Sequence, residues 1–433
     1  MLLLEYANYD ASRLAENFGA PEYSYLFVKN AFRHVLERVG RRIDIRDPAR
    51  EVDALFRAAE ARGEPCVFLP FCPPHTMPLG SACPTIPVFA WEYDRIPDEA
   101  WNNDPREDWT WVLAQTAGSI THCRSAGQAI RQAMGERYPL AVIPAPLFET
   151  FARGATPARG WRTPFDLAVE GGLAVSAGEI DLEPFRADRP TSEAMRMLRL
   201  LEHAAGAPGR PAQTLPLEGV VYTAVCNPYD GRKNWIDLIA GFVWAFRHTP
   251  TATLLVKLTR YDLEDGLYRV LQRLSEFGPF ACRVVLIQGL LSDSAYRGLI
   301  DATSYAVNTA FGEGQCLPLM EYMAAGRPAV APAHSAMLDY IAPDNAFVIA
   351  SQERQMWWPH DERRAMRCRH HYISFADYVR CLRESYRVAR EDAAAYARLS
   401  ERAVEAMRTF CSDETATPRL RDLLAAATRS AVA

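Results

Sequence analysis

Two glutamates, Glu313 and Glu321, stand eight positions apart in the run Gly312-Glu-Gly-Gln-Cys-Leu-Pro-Leu-Met-Glu-Tyr-Met-Ala-Ala-Gly326-Arg-Pro-Ala-Val-Ala-Pro332. Pro318 suits the first turn of a helix, where its missing N–H is no loss. Gly326 suits the position just past the helix end, and Pro328 prevents continuation. Glu313 then lies in the loop before the helix and Glu321 about one turn inside it. Between them, unpaired backbone N–H groups carry the positive end of the helix dipole, which makes an anion site. A phosphate resting there has a carboxylate on each side. That arrangement suits a nucleotide sugar, whose pyrophosphate lies between hexose hydroxyls and ribose hydroxyls. Gly312-Glu-Gly314 also begins like the dinucleotide pattern Gly-x-Gly-x-x-Gly. Position 317 is leucine and the block lies late in the chain, which sets that reading aside.

Transfer from a nucleotide sugar gathers negative charge on a departing diphosphate, and a protein assists by holding cations and N–H dipoles against it. No Asp-x-Asp metal motif occurs; the nearest are Asp181-Leu-Glu183 and Asp262-Leu-Glu264. Fixed basic side chains must then carry that task. Asn227-Pro-Tyr-Asp-Gly-Arg232-Lys233-Asn234-Trp235 supplies Arg232 and Lys233 at a helix start. Cations there oppose the helix dipole, so a purely structural reason for them is weak. Lys257 ends the following strand and points the same way.

The block around Glu313 resembles the donor-binding signature of retaining glycosyltransferases of the large family-4 class, which have the two-domain GT-B fold. Glu313, Gly314, Leu317, Pro318, Glu321, Met323, Ala324, Gly326 and Pro328 match it, while Gln315 replaces the usual aromatic and Cys316 the usual second glycine. The resemblance implies that Lys233 grips the donor phosphates. The arginine that normally precedes it is replaced by Asn227 or Pro228, with Arg232 or Lys257 as substitutes. Glu313 would meet the donor sugar near the reacting carbon, as a positioning group more than a nucleophile, and Glu321 would hydrogen-bond the ribose. Gly314, Gln315, Leu317 and Ser335 would complete the donor site; the neighbouring His334 reads as a polar turn residue.

On the acceptor side, Trp91-Glu92-Tyr-Asp94 ends a strand where the family often has a histidine or glutamate. Glu92 takes that place, with Trp91, Asp94 and His75 around it. The resemblance further implies a GDP- or UDP-linked sugar as co-substrate with neither metal nor other cofactor. The acceptor would be a carbohydrate or lipid-linked glycan, in bacterial surface polysaccharide or glycolipid synthesis. Two alternatives share the phosphate site: another sugar-phosphate enzyme on this fold, such as a phosphorylase, and a non-catalytic sugar- or nucleotide-binding protein.

The elements that must position these residues fill a chain of 433 residues, long enough for two domains of ~200 residues. From about 216 to 350, strands and helices alternate: Val220–Cys226, a helix over Asn234–Arg247, Leu254–Leu258, a helix over Gly266–Phe277, Arg283–Gln288, a helix over Ala295–Ile300 capped by Ser292, Tyr305–Thr309, Ala329–Ala331 and Phe347–Ile349. This spacing predicts an α/β fold with a parallel sheet whose ligands lie at the carboxyl ends of the strands. Residues 1–148 alternate less regularly, with candidate strands Leu2–Tyr6, Arg42–Ile45, Val67–Phe71, Ile86–Trp91, Ser119–Cys123 and Ala141–Ile143. Two Rossmann-like domains facing a central cleft are expected, 1–148 for the acceptor and 219–360 for the donor. Residues 149–218 read as insertion and linker, with a hairpin of Phe165–Val169 and Leu173–Val175 around Gly171-Gly172 and a helix near Ser192–Ala204. From about 355 onward the chain reads as helical, and 361–433 is expected to return to the first domain, as in GT-B enzymes.

A net charge of −5 predicts no broad basic surface for nucleic acid. No apolar run approaches the ~20 residues that span a bilayer, and the first residues lack the pattern of a signal peptide; a cytoplasmic chain is expected. Arg33, Arg38, Arg41 and Arg42 form a basic cluster, either a solvated face or a peripheral contact with anionic lipid at the inner membrane face. Ten cysteines without a Cys-x-x-Cys pair read as reduced thiols, with Cys66, Cys123 and Cys226 as small buried residues of strands. Cys368-Arg-His370-His371 lacks a second ligand pair and reads as a polar segment.

Overall fold

A computed structural model describes all residues except 10–17, 20–21, 188, 207–211, 260–262 and 431–433. Asp262 of the Asp-Leu-Glu triplet lies outside the described residues.

The first half is built on parallel strands β1 (Leu2–Ala7), β2 (Arg41–Asp44) and β3 (Cys66–Phe71), ordered β2-β1-β3. A parallel pair, β4 (Ser119–Thr121) and β5 (Leu140–Val142), extends it. The expected strand over Ile86–Trp91 is present as a broken ladder. Ile86 N and Val88 N donate to Phe68 O and Pro70 O at 2.9 Å, and Phe89 N donates to Ile120 O at 3.0 Å. It bridges β3 to β4 through isolated pairs. Pro84 and Pro87 have no N–H to give the ladder, which prevents a regular strand.

The second half holds the large sheet. Its members are β6 (Arg162–Val169), β7 (Leu173–Ser176), β8 (Gln213–Cys226), β9 (Ala252–Leu258), β10 (Arg283–Gln288), β11 (Tyr305–Val307), β12 (Ala329–Pro332) and β13 (Ala346–Ile349). The order β13-β12-β11-β8-β9-β10 is parallel throughout, and β7 closes the edge antiparallel to β10. Helices follow the strands at Trp235–Phe246, Leu263–Ser275, Asp293–Ala302 and Leu317–Ala324. β9 and β10 are buried almost continuously, as befits strands covered on both faces.

Two expectations fail. The stretches around Gly171-Gly172 do not pair with each other: β6 pairs with the amino-terminal half of β8 and β7 with β10. β8 begins at Gln213, well before Val220, and so offers β6 a partner; Leu167 and Val169 of β6 pack with Leu215 and Leu217 of β8. The glycines serve close approach instead. A Cβ on Gly171 would stand 2.7 Å from Leu290 O, and one on Gly172 2.8 Å from Gln288 O. Residues 355–373 are also not helical. β14 (Ser351–Trp357) and β15 (Arg367–Ile373) form an antiparallel hairpin. Most of β14 is exposed, so no apolar alternation marked it.

Three helices complete the chain. Phe375–Glu391 buries Tyr378, Leu382 and Tyr386 in the core of the large sheet. Ala393–Cys411 packs Ala403, Met407 and Cys411 against Met320 and Met323. Asp413–Ser430 crosses back, placing Leu420, Leu423 and Leu424 in the core of the first half. Burial of each such leucine contributes about 1.5–3 kcal/mol, which fastens the chain's end to its beginning. Among the described residues no helix is long and apolar enough to cross a membrane.

Candidate active site

The loop leaving β8 and the loop leaving β11 are clamped together. Asn234 takes a left-handed backbone (φ 47°) and donates from Nδ2 to Thr309 O at 3.1 Å; the Thr309 hydroxyl donates back to Asn234 O. Phe311 N donates to Arg232 O at 2.8 Å. Asp230 caps the short turn Gly231–Lys233 through Arg232 N. These contacts bring Arg232 and Lys233 to Glu313.

Glu313 is 2% exposed and fully bonded. Lys233 Nζ donates to Oε1 at 2.8 Å and Oε2 at 2.9 Å, Arg232 Nη1 to Oε2 at 2.9 Å, and Asn308 Nδ2 to Oε1 at 3.1 Å. Its backbone N–H donates to Ser335 Oγ at 2.9 Å, and Ser335 is held by His334 Nδ1 and by its own left-handed backbone (φ 47°). Burial alone would raise the carboxyl pKa, but the charges of Lys233 and Arg232 override it and hold the group ionised, at about 2. A carboxylate with its lone pairs so occupied is a poor nucleophile and a strong electrostatic anchor. Burial likewise works against the two cations, and the surrounding carboxylates keep both protonated. Arg232 meets three of these: Glu313, Asp230 at 2.9 Å, and Glu92 of the first half at 3.5 Å. Glu92, Asp230, Arg232, Lys233 and Glu313 thus form one network spanning both halves.

Glu321 sits inside helix Leu317–Ala324, bonded by the Tyr296 hydroxyl. Burial raises its pKa to about 7, against that hydrogen bond and the nearby Arg297. The left-handed Cys316 (φ 61°) precedes the helix, and Asn308 Nδ2 contacts its sulfur at 3.1 Å. Burial raises this thiol to about 12, so it stays protonated. Lys257 is not part of the Glu313 network. Its Nζ donates to Leu258 O and to Gly289 O at 2.6 Å and lies 4.8 Å above the Phe18 ring; burial lowers its pKa to about 7.

The halves meet closely here. A Cβ on Gly314 would fall 2.9 Å from Ala90 Cβ and 3.1 Å from Trp91 N, so this glycine lets the two loops touch. Gln315 Oε1 accepts from Ala145 N at 2.8 Å, a bond an aromatic could not make. Leu317 packs between the cores of the two halves. Trp91 is buried among Tyr93, Trp109 and Trp358, its Nε1 donating to Arg95 O. Asp94 accepts from Arg369 N at 2.6 Å and Nε at 2.9 Å, which fastens β15. His75 stacks on Trp109, with centroids 5.7 Å apart. His371 stacks on His334 at 4.3 Å, and Cys368 lies in the first core.

Several contributors carried no signal in the sequence. Asp230 pairs Arg232 from two residues away, and Asn308 lies just past β11. Asn227, at the position of the missing arginine, donates to Gly19 O at 3.0 Å and ties the turn after β1 to the second half. The basic cluster is largely neutralised: Arg38 pairs with Asp413, Arg41 with Glu64, and Arg42 with Glu5 and Glu37.

No protein-family model matches the chain, and no curated protein matches it by sequence. Solved structures do match. The Anabaena protein HepE, solved in complex with UDP and glucose, superposes with a TM-score of 0.51 at 12% identity, over 98% of this chain and 100% of that one. Sucrose-phosphate synthase from Thermosynechococcus elongatus superposes with a TM-score of 0.52 at 13% identity, over 99% and 100%. At such identities the likeness establishes the fold, which is that of the GT-B glycosyltransferases.

Proposed function

We propose that the chain is a retaining, metal-independent glycosyltransferase of the family-4 kind. In this reading it moves a hexose from a nucleotide sugar, UDP-linked in the first instance, to a carbohydrate acceptor. The second half binds the donor and the first half the acceptor. The observation that carries it is the five-membered charge network at the carboxyl ends of β8 and β11, beside the amino end of helix Leu317–Ala324. Parallel sheets bind ligands at that edge.

Glu313 holds Lys233 and Arg232 in place before reaction, where they face charge developing on a departing diphosphate. Three carboxylates accompany two cations in the network, so the helix dipole must supply the remaining attraction for the diphosphate. Glu92, whose side chain reaches solvent, would accept from a sugar hydroxyl, while Glu313 acts through the cations it holds. The likeness to HepE, solved in complex with UDP and glucose, supports UDP-glucose as the first donor to try.

The test is incubation with UDP-, GDP-, ADP- and dTDP-hexoses, with and without methyl glycosides, in EDTA. Release of nucleoside diphosphate with an axial-to-axial anomeric outcome supports the proposal. No release from any donor, or an inverted product, refutes it.

A further inference from the structure

A second polar cluster lies at the carboxyl ends of β1 and β3, apart from the charge network. Asn8 directly follows β1, and Thr76 and His75 lie in the short turn Pro74–Thr76 after β3. Glu22 joins them. Asn8 Nδ2 and the Thr76 hydroxyl both donate to Glu22 Oε2, the latter at 3.3 Å. Oε1 receives no hydrogen bond among the described residues; His75 Nε2 stands 4.0 Å away, too far for one. Both side chains reach solvent, Glu22 at 18% exposure and His75 at 31%.

Two features hold the pair in readiness. His75 lies flat on Trp109, at an interplanar angle of 14°, which fixes its ring. Glu22 keeps a left-handed backbone, φ 68°, that glycine would take without strain. Strain retained at a non-glycine residue directs attention to function. The next residue, Tyr23, bonds Thr259 of the second half and lies near Lys233 and Glu321. The turn carrying Glu22 therefore stands where the two halves meet.

We infer that Glu22 and His75 together bind one hydroxyl of a neutral carbohydrate acceptor. A hydroxyl oxygen about 2.8 Å from each would sit between them at an angle of about 90°, donating to Glu22 Oε1 and facing His75 Nε2. Burial keeps His75 neutral and raises the Glu22 carboxyl. A neutral ring and a carboxylate suit an alcohol and repel an anionic group. The inference rests on the transferase reading and adds an acceptor subsite to it.

The experiment measures UDP release from UDP-glucose against the concentration of methyl glucoside, galactoside and mannoside, for the wild type and for E22Q, H75Q and E22G. The acceptor KM should rise about tenfold or more in all three, while the KM for UDP-glucose moves less than twofold. E22G should remain folded, because glycine relieves the φ of residue 22 and offsets part of the loss of the Oε2 hydrogen bonds, and yet show the same acceptor defect. An unchanged acceptor KM, or two KM values that rise together, overturns the inference and leaves the transferase reading standing. If the wild type releases no UDP with any probe, the transferase reading fails. Saturation-transfer NMR with the same methyl glycosides then decides the subsite. A transfer signal with the wild type that vanishes with E22Q supports it, and no signal with the wild type, or an equal one with E22Q, overturns it.

Discussion

Glu321 gives a prediction whose size follows from its surroundings. Its carboxyl is buried beside Tyr296 and titrates at about 7, against an ordinary value of 4.5. If it binds ribose hydroxyls as a carboxylate, donor binding must first remove its proton below pH 7. The fraction ionised is then about one in eleven at pH 6 and about nine in ten at pH 8, a tenfold difference in affinity, or about 1.4 kcal/mol. UDP-glucose is the right probe, because its diphosphate diester does not titrate in this range. Lys257 also titrates at about 7 and has the opposite sign, so the contribution of Glu321 is the difference between wild type and E321Q. Titration calorimetry at pH 6, 7 and 8 should show E321Q losing a component that strengthens binding as pH rises. A second readout is stability. A group whose folded pKa is raised contributes stability below pH 4.5 and loses it as pH climbs through 7, here up to about 3 kcal/mol. E321Q should therefore gain on the wild type at pH 8. Parallel curves for the two proteins in both assays would refute the assignment of Glu321.

Three further outcomes are expected. Removing Lys233 as K233M leaves Glu313 buried with fewer partners and should cost about 3–5 kcal/mol in urea melts; the double variant K233M/E313Q should recover about 2 kcal/mol or more as coupling energy. G314A inserts a methyl against Ala90 and Trp91 and should cost about 1–3 kcal/mol, with turnover falling because the halves are held apart. Arg327 is fully buried and donates to Ile300 O, Thr156 O and Asp301 Oδ1; R327M should lower stability by about 3 kcal/mol, seen as an earlier urea midpoint.

What could be read from the residues was what repeats or is local. The strand–helix alternation after Val220 and the Pro318–Gly326 helix follow from periodicity and end signals, and the structure reproduces them within a few residues. That Glu313, Lys233 and Arg232 share one edge of the sheet followed from all three lying in loops at the carboxyl ends of parallel strands; their direct pairing did not. Partner choice was not legible. Local spacing favours pairing of Phe165–Val169 with Leu173–Val175, but an extended β8 and the free edge of β10 compete for them and win. The β14–β15 hairpin is mostly polar, and its place is set by Asp94, Phe311 and the aromatic cluster far away in sequence. The bonds of Lys257 to Gly289 and of Asp94 to Arg369 are tertiary as well, and residue type alone does not disclose them. Gly314 matched a donor motif, whereas its nearest neighbours belong to the other half.

The central claim is that a nucleoside diphosphate sugar binds where Lys233, Arg232 and Glu313 meet. Calorimetric titration of UDP-glucose into the wild type and into K233M tests it most directly. Saturable one-to-one binding by the wild type, weakened at least about a hundredfold in a folded K233M, about 2.7 kcal/mol, is the predicted result. Equal affinity in the two proteins, or a wild type that takes up none of the UDP-, GDP-, ADP- and dTDP-hexoses, would contradict it.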